Sequence, residues 1–202
     1  MPSTTKTKRR DADFYETPEW CTRALLDSYP IDSNSVIVEP CAGHGAISRV
    51  IKEYYPECTL VQYELNRNKK LEKISTVEFG DFLKQDGLIS VGNSLKTDPR
   101  CSLVDYVITN PPFTYAQEFI TNCRLIYPNA EIIMLLPFSF LGSDKRHGWW
   151  KQNTPNKQTV LSTRPSFTND GKTDSSVYAW YHWFNEARKN IFLPMTFVRR
   201  GK

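Results

Sequence analysis

The sequence predicts an α/β fold in which a central, mostly parallel sheet of seven strands carries helices on both faces. Three observations lead there. Seven short apolar runs recur along 202 residues, helical segments fall between them, and one run passes directly into a two-glycine turn that opens a helix. With 40% hydrophobic residues the chain can fill one well-buried core, and with 24% charged residues and no long apolar run it has no membrane-span signature. Residues 1–13 read as a flexible basic arm (Lys6, Lys8, Arg9, Arg10) and residues 14–202 as a single domain.

In chain order, Pro18 to Ser28 reads as a helix with Thr17 as its cap and Pro18 at its first position. The apolar runs Val36–Val38, Thr59–Tyr63, Val77–Phe79, Tyr106–Thr109, Ile132–Leu136, Thr159–Leu161 and Ser176–Phe184 read as strands, and Ile47 to Tyr55 as a second helix. The polar stretches Ser90–Ser102 and Gly142–Asn156 read as long loops.

The five cysteines (Cys21, Cys41, Cys58, Cys101, Cys123) are odd in number and contain no C-x-x-C pair, so neither a disulfide framework nor a metal site is expected. No apolar leader is visible near Met1, which sets the expectation of a cytoplasmic protein. A net charge of +4 is compatible with a polyanionic partner but does not select one.

Chemistry concentrates at three turns. In Glu39-Pro40-Cys41-Ala42-Gly43-His44-Gly45 a strand enters a turn whose glycines admit a ligand close to backbone. The third glycine of a dinucleotide turn is missing, and the charge of Glu39 disfavours phosphate and suits a cationic group. A tight turn with no ligand would share this pattern; Glu64 favours the ligand reading. It lies nineteen residues after Gly45 at the end of the next apolar run, where a carboxylate can accept from a ribose diol. In Gly80-Asp81-Phe82-Leu83, Asp81 is a candidate acceptor for an adenine amine and Phe82 a candidate cover for the ring, although such turns are commonly plain loop.

The third turn, Asn110-Pro111-Pro112-Phe113, ends a strand and makes a specific chemical offer. An exocyclic base amine is a poor nucleophile because its lone pair is delocalised into the ring. Two acceptors, the Asn110 side-chain oxygen and the Pro111 carbonyl, can draw its hydrogens out of conjugation, while the prolines fix the backbone and Phe113 offers a stacking face.

With these turns in this order the chain resembles the S-adenosylmethionine-dependent N6-adenine DNA methyltransferases, especially those of gamma motif order and their phage-encoded relatives. The resemblance covers roughly the first 115 residues, from Phe14-Tyr15-Glu16-Thr17-Pro18 through Glu39–Gly45, Glu64, Gly80-Asp81-Phe82 and Asn110–Phe113. It implies a Rossmann-like class I methyltransferase fold, S-adenosylmethionine as cofactor, no metal, and nucleic acid as partner, with DNA favoured over RNA. It also implies that Thr17 contacts the methionine end of the cofactor, Glu64 the ribose, Asp81 the adenine amine, and Asn110 with Phe113 the target base. Arg164-Pro165-Ser166-Phe167-Thr168 looks like a later motif of the phage enzymes, which assigns Phe167 to the flipped base.

No separate target-recognition domain is expected, so recognition falls to loops, with Lys145, Arg146 and Trp149 as candidate contacts to phosphate and base. A solvated basic loop whose tryptophans pack back on the core is the alternative. Three further readings stay open: an RNA adenine methyltransferase, a protein glutamine methyltransferase, and a cofactor- or nucleic-acid-binding subunit without catalysis. Asn110 and its neighbours speak against the last of these.

Overall fold

The computed structural model describes residues 16–83, 103–167 and 173–201. The basic arm, the Ser90–Ser102 loop and Thr168 lie outside them. Within them runs one eight-stranded sheet of order β3-β2-β1-β4-β5-β7-β6-β8, parallel except for β7, which is antiparallel to both β5 and β6. The strands are β1 (Val36–Glu39), β2 (Thr59–Glu64), β3 (Thr76–Phe79), β4 (Tyr106–Thr109), β5 (Glu131–Pro137), β6 (Lys157–Leu161), β7 (Tyr178–Trp183) and β8 (Thr196–Val198). Seven match the apolar runs. The eighth corrects the expected count: only three residues long, it ends the apolar stretch Ile191–Val198 and is held by parallel pairing to β6, with Phe197 left exposed.

Helices α1 (Glu19–Ser28) and α2 (Ala46–Tyr54) cover one face of the sheet, and α3 (Ala116–Ile126) covers the other. The sequence reading leaves α3 unassigned, yet its logic is simple. Ala116, Phe119, Ile120, Cys123 and Ile126 recur at helical spacing and all are buried against the sheet. Because both faces are covered, every residue of β5 is buried, as a continuous apolar strand requires. The expected loop after Gly142 is more ordered than a loop, with a short α4 (His147–Trp150) following a single 3-10 turn. No helix among the described residues is long and apolar enough to cross a membrane.

The start of α1 differs from expectation. Pro18 is its N-cap and no side chain caps it. Thr17 is therefore not a capping residue; its hydroxyl is engaged elsewhere. The helix itself is anchored across the sheet, where the Trp180 indole N–H donates to the Cys21 carbonyl at 2.9 Å in the buried core. Cys21, Cys41, Cys58 and Cys123 are free thiols.

At the edge where β5 begins, Glu131 is the centre of a buried polar network. Its carboxylate receives the Tyr29 hydroxyl at 3.0 Å and the His182 ring at 3.0 Å, with Arg188 at 3.4 Å. Burial holds His182 below the usual histidine range, partly opposed by Glu131 itself, so the ring is a neutral donor to the carboxylate. Truncating Glu131 to Ala leaves the buried His182 ring and the part-buried Tyr29 hydroxyl without their acceptor. Urea denaturation of Glu131→Ala should show a loss of about 1–3 kcal/mol, the cost of leaving a buried donor unsatisfied, with Glu131→Gln retaining part of it.

Candidate functional site

In an open sheet of this topology the carboxyl ends of β1 to β6 and the start of β7 share one edge, and the polar residues singled out in the sequence gather there. Glu39 ends β1, Glu64 ends β2, Asp81 follows β3 and Asn110 follows β4. Tyr178, at the start of the reversed β7, faces Pro137 and Leu161 at the same edge.

The glycine turn is built as its residue types demand. Gly43 and Gly45 take positive φ of 56° and 80°, a region in which side chains are strained. At Gly45 a Cβ would also stand 2.4 Å from Ile74 Cδ1, so even an alanine would displace the packing under the turn. Glu64 is tied to this turn directly. Its carboxylate accepts the Gly43 N–H at 2.7 Å through one oxygen and the Asn66 N–H at 3.1 Å through the other. Each oxygen keeps a lone pair for a further donor. Asn68 braces the turn from behind, donating to the Gly43 carbonyl at 3.1 Å.

Pro40 and Ala42 are buried in the floor of the turn and Cys41 is half-buried. Burial pushes the Cys41 thiol well up, with Cys123 nearby adding to the effect, so it stays protonated and serves as a wall.

Asn110 is the most informative side chain at the edge. Its Nδ2 donates to Thr17 Oγ1 at 3.0 Å, joining the start of α1 to the end of β4. Its Oδ1 is buried and accepts no hydrogen bond from any described residue. A buried amide oxygen without a donor is costly, on the order of 1–3 kcal/mol, and a ligand that donates to it would recover that cost. Pro111 is buried, and the Pro112 carbonyl is already taken by the Tyr115 N–H at 2.9 Å.

Phe113 is half-buried, its ring 5.7 Å from that of Tyr178; Phe167 stands edge-on to the same tyrosine at 5.0 Å. Phe113 and Phe167, far apart in sequence, thus share one aromatic cluster through Tyr178; Phe167 and Tyr178 are core residues, so Phe167 backs Phe113 rather than presenting an open face to a base as expected. Sequence reasoning placed Tyr178 only within an aromatic strand, and nothing local distinguishes it from Tyr181, which faces the other side of the sheet.

Two expectations are corrected. Phe82 does not stand open as a cover for a ring. It is a core residue, stacked at 5.6 Å and 2° on Phe119 and tilted against Tyr63, because α3 claims its face. Asp81 beside it accepts the Leu83 N–H at 3.0 Å. Trp149 is not a free stacking surface either. It packs edge-on to Trp150 at 4.9 Å and to Phe140 at 6.3 Å, part of the core covering. Arg146 donates to the Phe140 carbonyl at 3.0 Å and lies over the Phe140 ring at 4.5 Å, whereas Lys145 next to it is exposed. Among the described residues no group of three His, Cys, Asp or Glu is placed to hold a metal ion.

Glu39 is 1% exposed and its carboxylate accepts the Ser48 hydroxyl of α2. Burial pushes it up to about 8, against the lowering effect of the Ser48 bonds. Folding thus raises the group's affinity for its proton above the ordinary 4.5, and the folded chain holds more protons than the unfolded one between the two values. The stabilisation is complete below about 4.5 and is lost as pH rises through about 8. Denaturation of the wild type against Glu39→Gln over that window should diverge by a few kcal/mol, roughly 1.4 kcal/mol per pKa unit, the wild type losing ground as pH rises. A difference that does not change with pH would show that Glu39 does not titrate in this range.

No family model matches the sequence, and no curated protein matches it. Solved structures do match the fold. A protein described as a class I S-adenosylmethionine-dependent methyltransferase from Listeria monocytogenes superposes with a TM-score of 0.62 at 13% identity, covering 96% of this chain and 69% of its own. The type I restriction-modification system methyltransferase subunit from Streptococcus thermophilus gives 0.62 at 13% identity, covering 87% of this chain; the match spans only 46% of the subunit. A protein described as an RNA methyltransferase from Pyrococcus horikoshii gives 0.56 at 16% identity, over 83% and 85%. At these identities the likeness concerns architecture, and the architecture is the Rossmann-like class I methyltransferase fold.

Proposed function

We propose that this protein is an S-adenosylmethionine-dependent enzyme that methylates the N6 amino group of adenine in DNA. The observation that carries the reading is the buried Oδ1 of Asn110, without a donor among the described residues and held at the carboxyl edge of the sheet beside Pro111, Pro112 and Phe113. The likeness in fold to a restriction-modification methyltransferase subunit supports the same choice.

The residues of the glycine turn fit the cofactor. Bare backbone at Gly43 and Gly45 allows close approach, the Glu64 carboxylate has acceptor capacity for ribose hydroxyls, and Asp81 stands at the next strand end for an adenine amine. Pro40, Cys41 and Ala42 form the floor, and Thr17 borders the methionine end. Glu39 provides the charge that a cationic group would hold in its carboxylate form. S-adenosylmethionine, when bound, supplies an electrophilic methyl group on a positively charged sulfur.

The chain's own residues prepare the nucleophile. Asn110 Oδ1 and the Pro111 carbonyl accept the two hydrogens of the exocyclic amine and turn its lone pair out of the ring. Thr17 accepts from Nδ2 and holds that end of the amide, which leaves the amide oxygen towards the base. Phe113 backs the base, with Tyr178 and Phe167 behind it. Neither acceptor is a strong base, so the excess proton leaves to solvent after the N–C bond has formed. Lys145 remains available to a phosphate.

The test is transfer of labelled methyl from S-adenosylmethionine to unmethylated DNA and, separately, RNA, followed by digestion to nucleosides. N6-methyladenine in DNA is expected. Label confined to RNA would reassign the substrate, and label in neither despite cofactor binding would overturn the reading. Asn110→Ala should lower kcat by about two to three orders of magnitude, the usual cost of removing one preorganised polar group from a reacting centre, while calorimetry finds cofactor affinity within a few-fold of wild type.

A further inference from the structure

Three arginines leave the sheet at the edge that also holds the proposed base site, through pairings that the sequence does not foreshadow. Parallel pairing of β8 with β6 sets Val198 against Leu161, so both strands leave the sheet at the edge that holds Asn110. The two exits stay together. Ser162 N donates to the Val198 carbonyl at 2.7 Å and Arg200 N to Thr163 Oγ1 at 3.3 Å. Arg164, Arg199 and Arg200 are all exposed. None of the ion pairs among the described residues involves any of them.

The segment also reaches the aromatic cluster. Arg164 donates to the Ser175 carbonyl at 3.5 Å, and Asp174 N to the Pro165 carbonyl at 2.8 Å, which binds this exit to the residues leading into Tyr178. The opposite edge has the reverse character. Its cleft is lined by Asp32, Asp105 and Glu131 against the single cation Arg188. Along the catalytic edge the sheet order places the carboxylates Glu64 and Asp81 at the β2–β3 end and the arginines at the β6–β8 end, so a polyanion is drawn to the latter.

We infer that Arg199 and Arg200, with Arg164 beside them, form a phosphate clamp that holds the sugar-phosphate backbone of a nucleic acid alongside the Phe113–Tyr178–Phe167 cluster. This rests on the functional reading above and adds the backbone contact to it. Guanidinium groups match phosphate oxygens in a bidentate fashion, and such pairing fixes the register of a strand without reading its sequence. The short β8 thereby has a role: it carries the arginine pair to the catalytic edge.

The clamp is tested by fluorescence anisotropy of the full chain with a labelled DNA oligonucleotide and a labelled RNA oligonucleotide over a range of salt concentrations. For R199A/R200A the slope of log affinity against log salt should become shallower by about two, one for each phosphate that an arginine no longer neutralises. R199K/R200K should restore most of it, and calorimetric affinity for S-adenosylmethionine should stay at the wild-type value, which shows that the variant is folded. K52A/K189A removes the same charge away from this edge and should leave the slope unchanged. A slope unaltered in R199A/R200A, or flattened equally in K52A/K189A, overturns the clamp while leaving the proposed methyl transfer standing. Failure of the wild type to bind either oligonucleotide at low salt, with cofactor binding intact, overturns both.

Discussion

The hydrogen bond from Asn110 to Thr17 is the constraint on which the site depends. An asparagine amide can be turned either way; here Thr17 accepts from its nitrogen, and its oxygen is left available on the other side. That acceptor arrives from 93 residues earlier, on the segment leading into α1. It holds position because α1 is itself pinned across the sheet by Trp180, whose indole N–H is satisfied by the Cys21 carbonyl. A core contact on one face of the sheet therefore helps to fix the position of a side chain at its edge.

The two edges of the sheet divide the molecule's electrostatics. At one, acceptors stand partly unsatisfied: Asn110 Oδ1 with no donor among the described residues, Glu64 with lone pairs to spare, Glu39 buried with the hydroxyl and backbone of Ser48 as its partners. At the other, Glu131 is saturated by Tyr29, His182 and Arg188, a closed network that stabilises and offers nothing to a ligand. Buried polar atoms without a partner also occur elsewhere, Asn185 Oδ1 beside the Glu131 cleft among them; what sets Asn110 apart is its place at the carboxyl edge next to Phe113.

Local features of the site were legible in the sequence because their physics is local. An apolar run predicts a strand, paired glycines predict a turn that bends through positive φ, and Asn-Pro-Pro-Phe at a strand end predicts an amide presented at the sheet's edge. What the sequence hides is set by residues distant along the chain. Thr17 reads as a helix cap because capping is the common task of threonine before a helix, and only Asn110, at the far end of β4, shows otherwise. Phe82 follows a strand as a covering aromatic would, but α3 supplies Phe119 and takes its face. Trp149 sits among cations, yet Phe140 and Trp150 draw it inward. β8 lies at the end of the apolar stretch Ile191–Val198, but Pro194 interrupts that run and only three residues of it pair with β6.

The most direct measurement of the central claim is a crystal structure with a non-reactive analogue of S-adenosylmethionine and an adenine-containing oligonucleotide. The account predicts the target amine at about 3 Å from Asn110 Oδ1, with Thr17 still accepting from Nδ2 and the base against Phe113. A complex in which the amide has turned its nitrogen to the base, or in which Asn110 Oδ1 is satisfied by the protein itself, would contradict it.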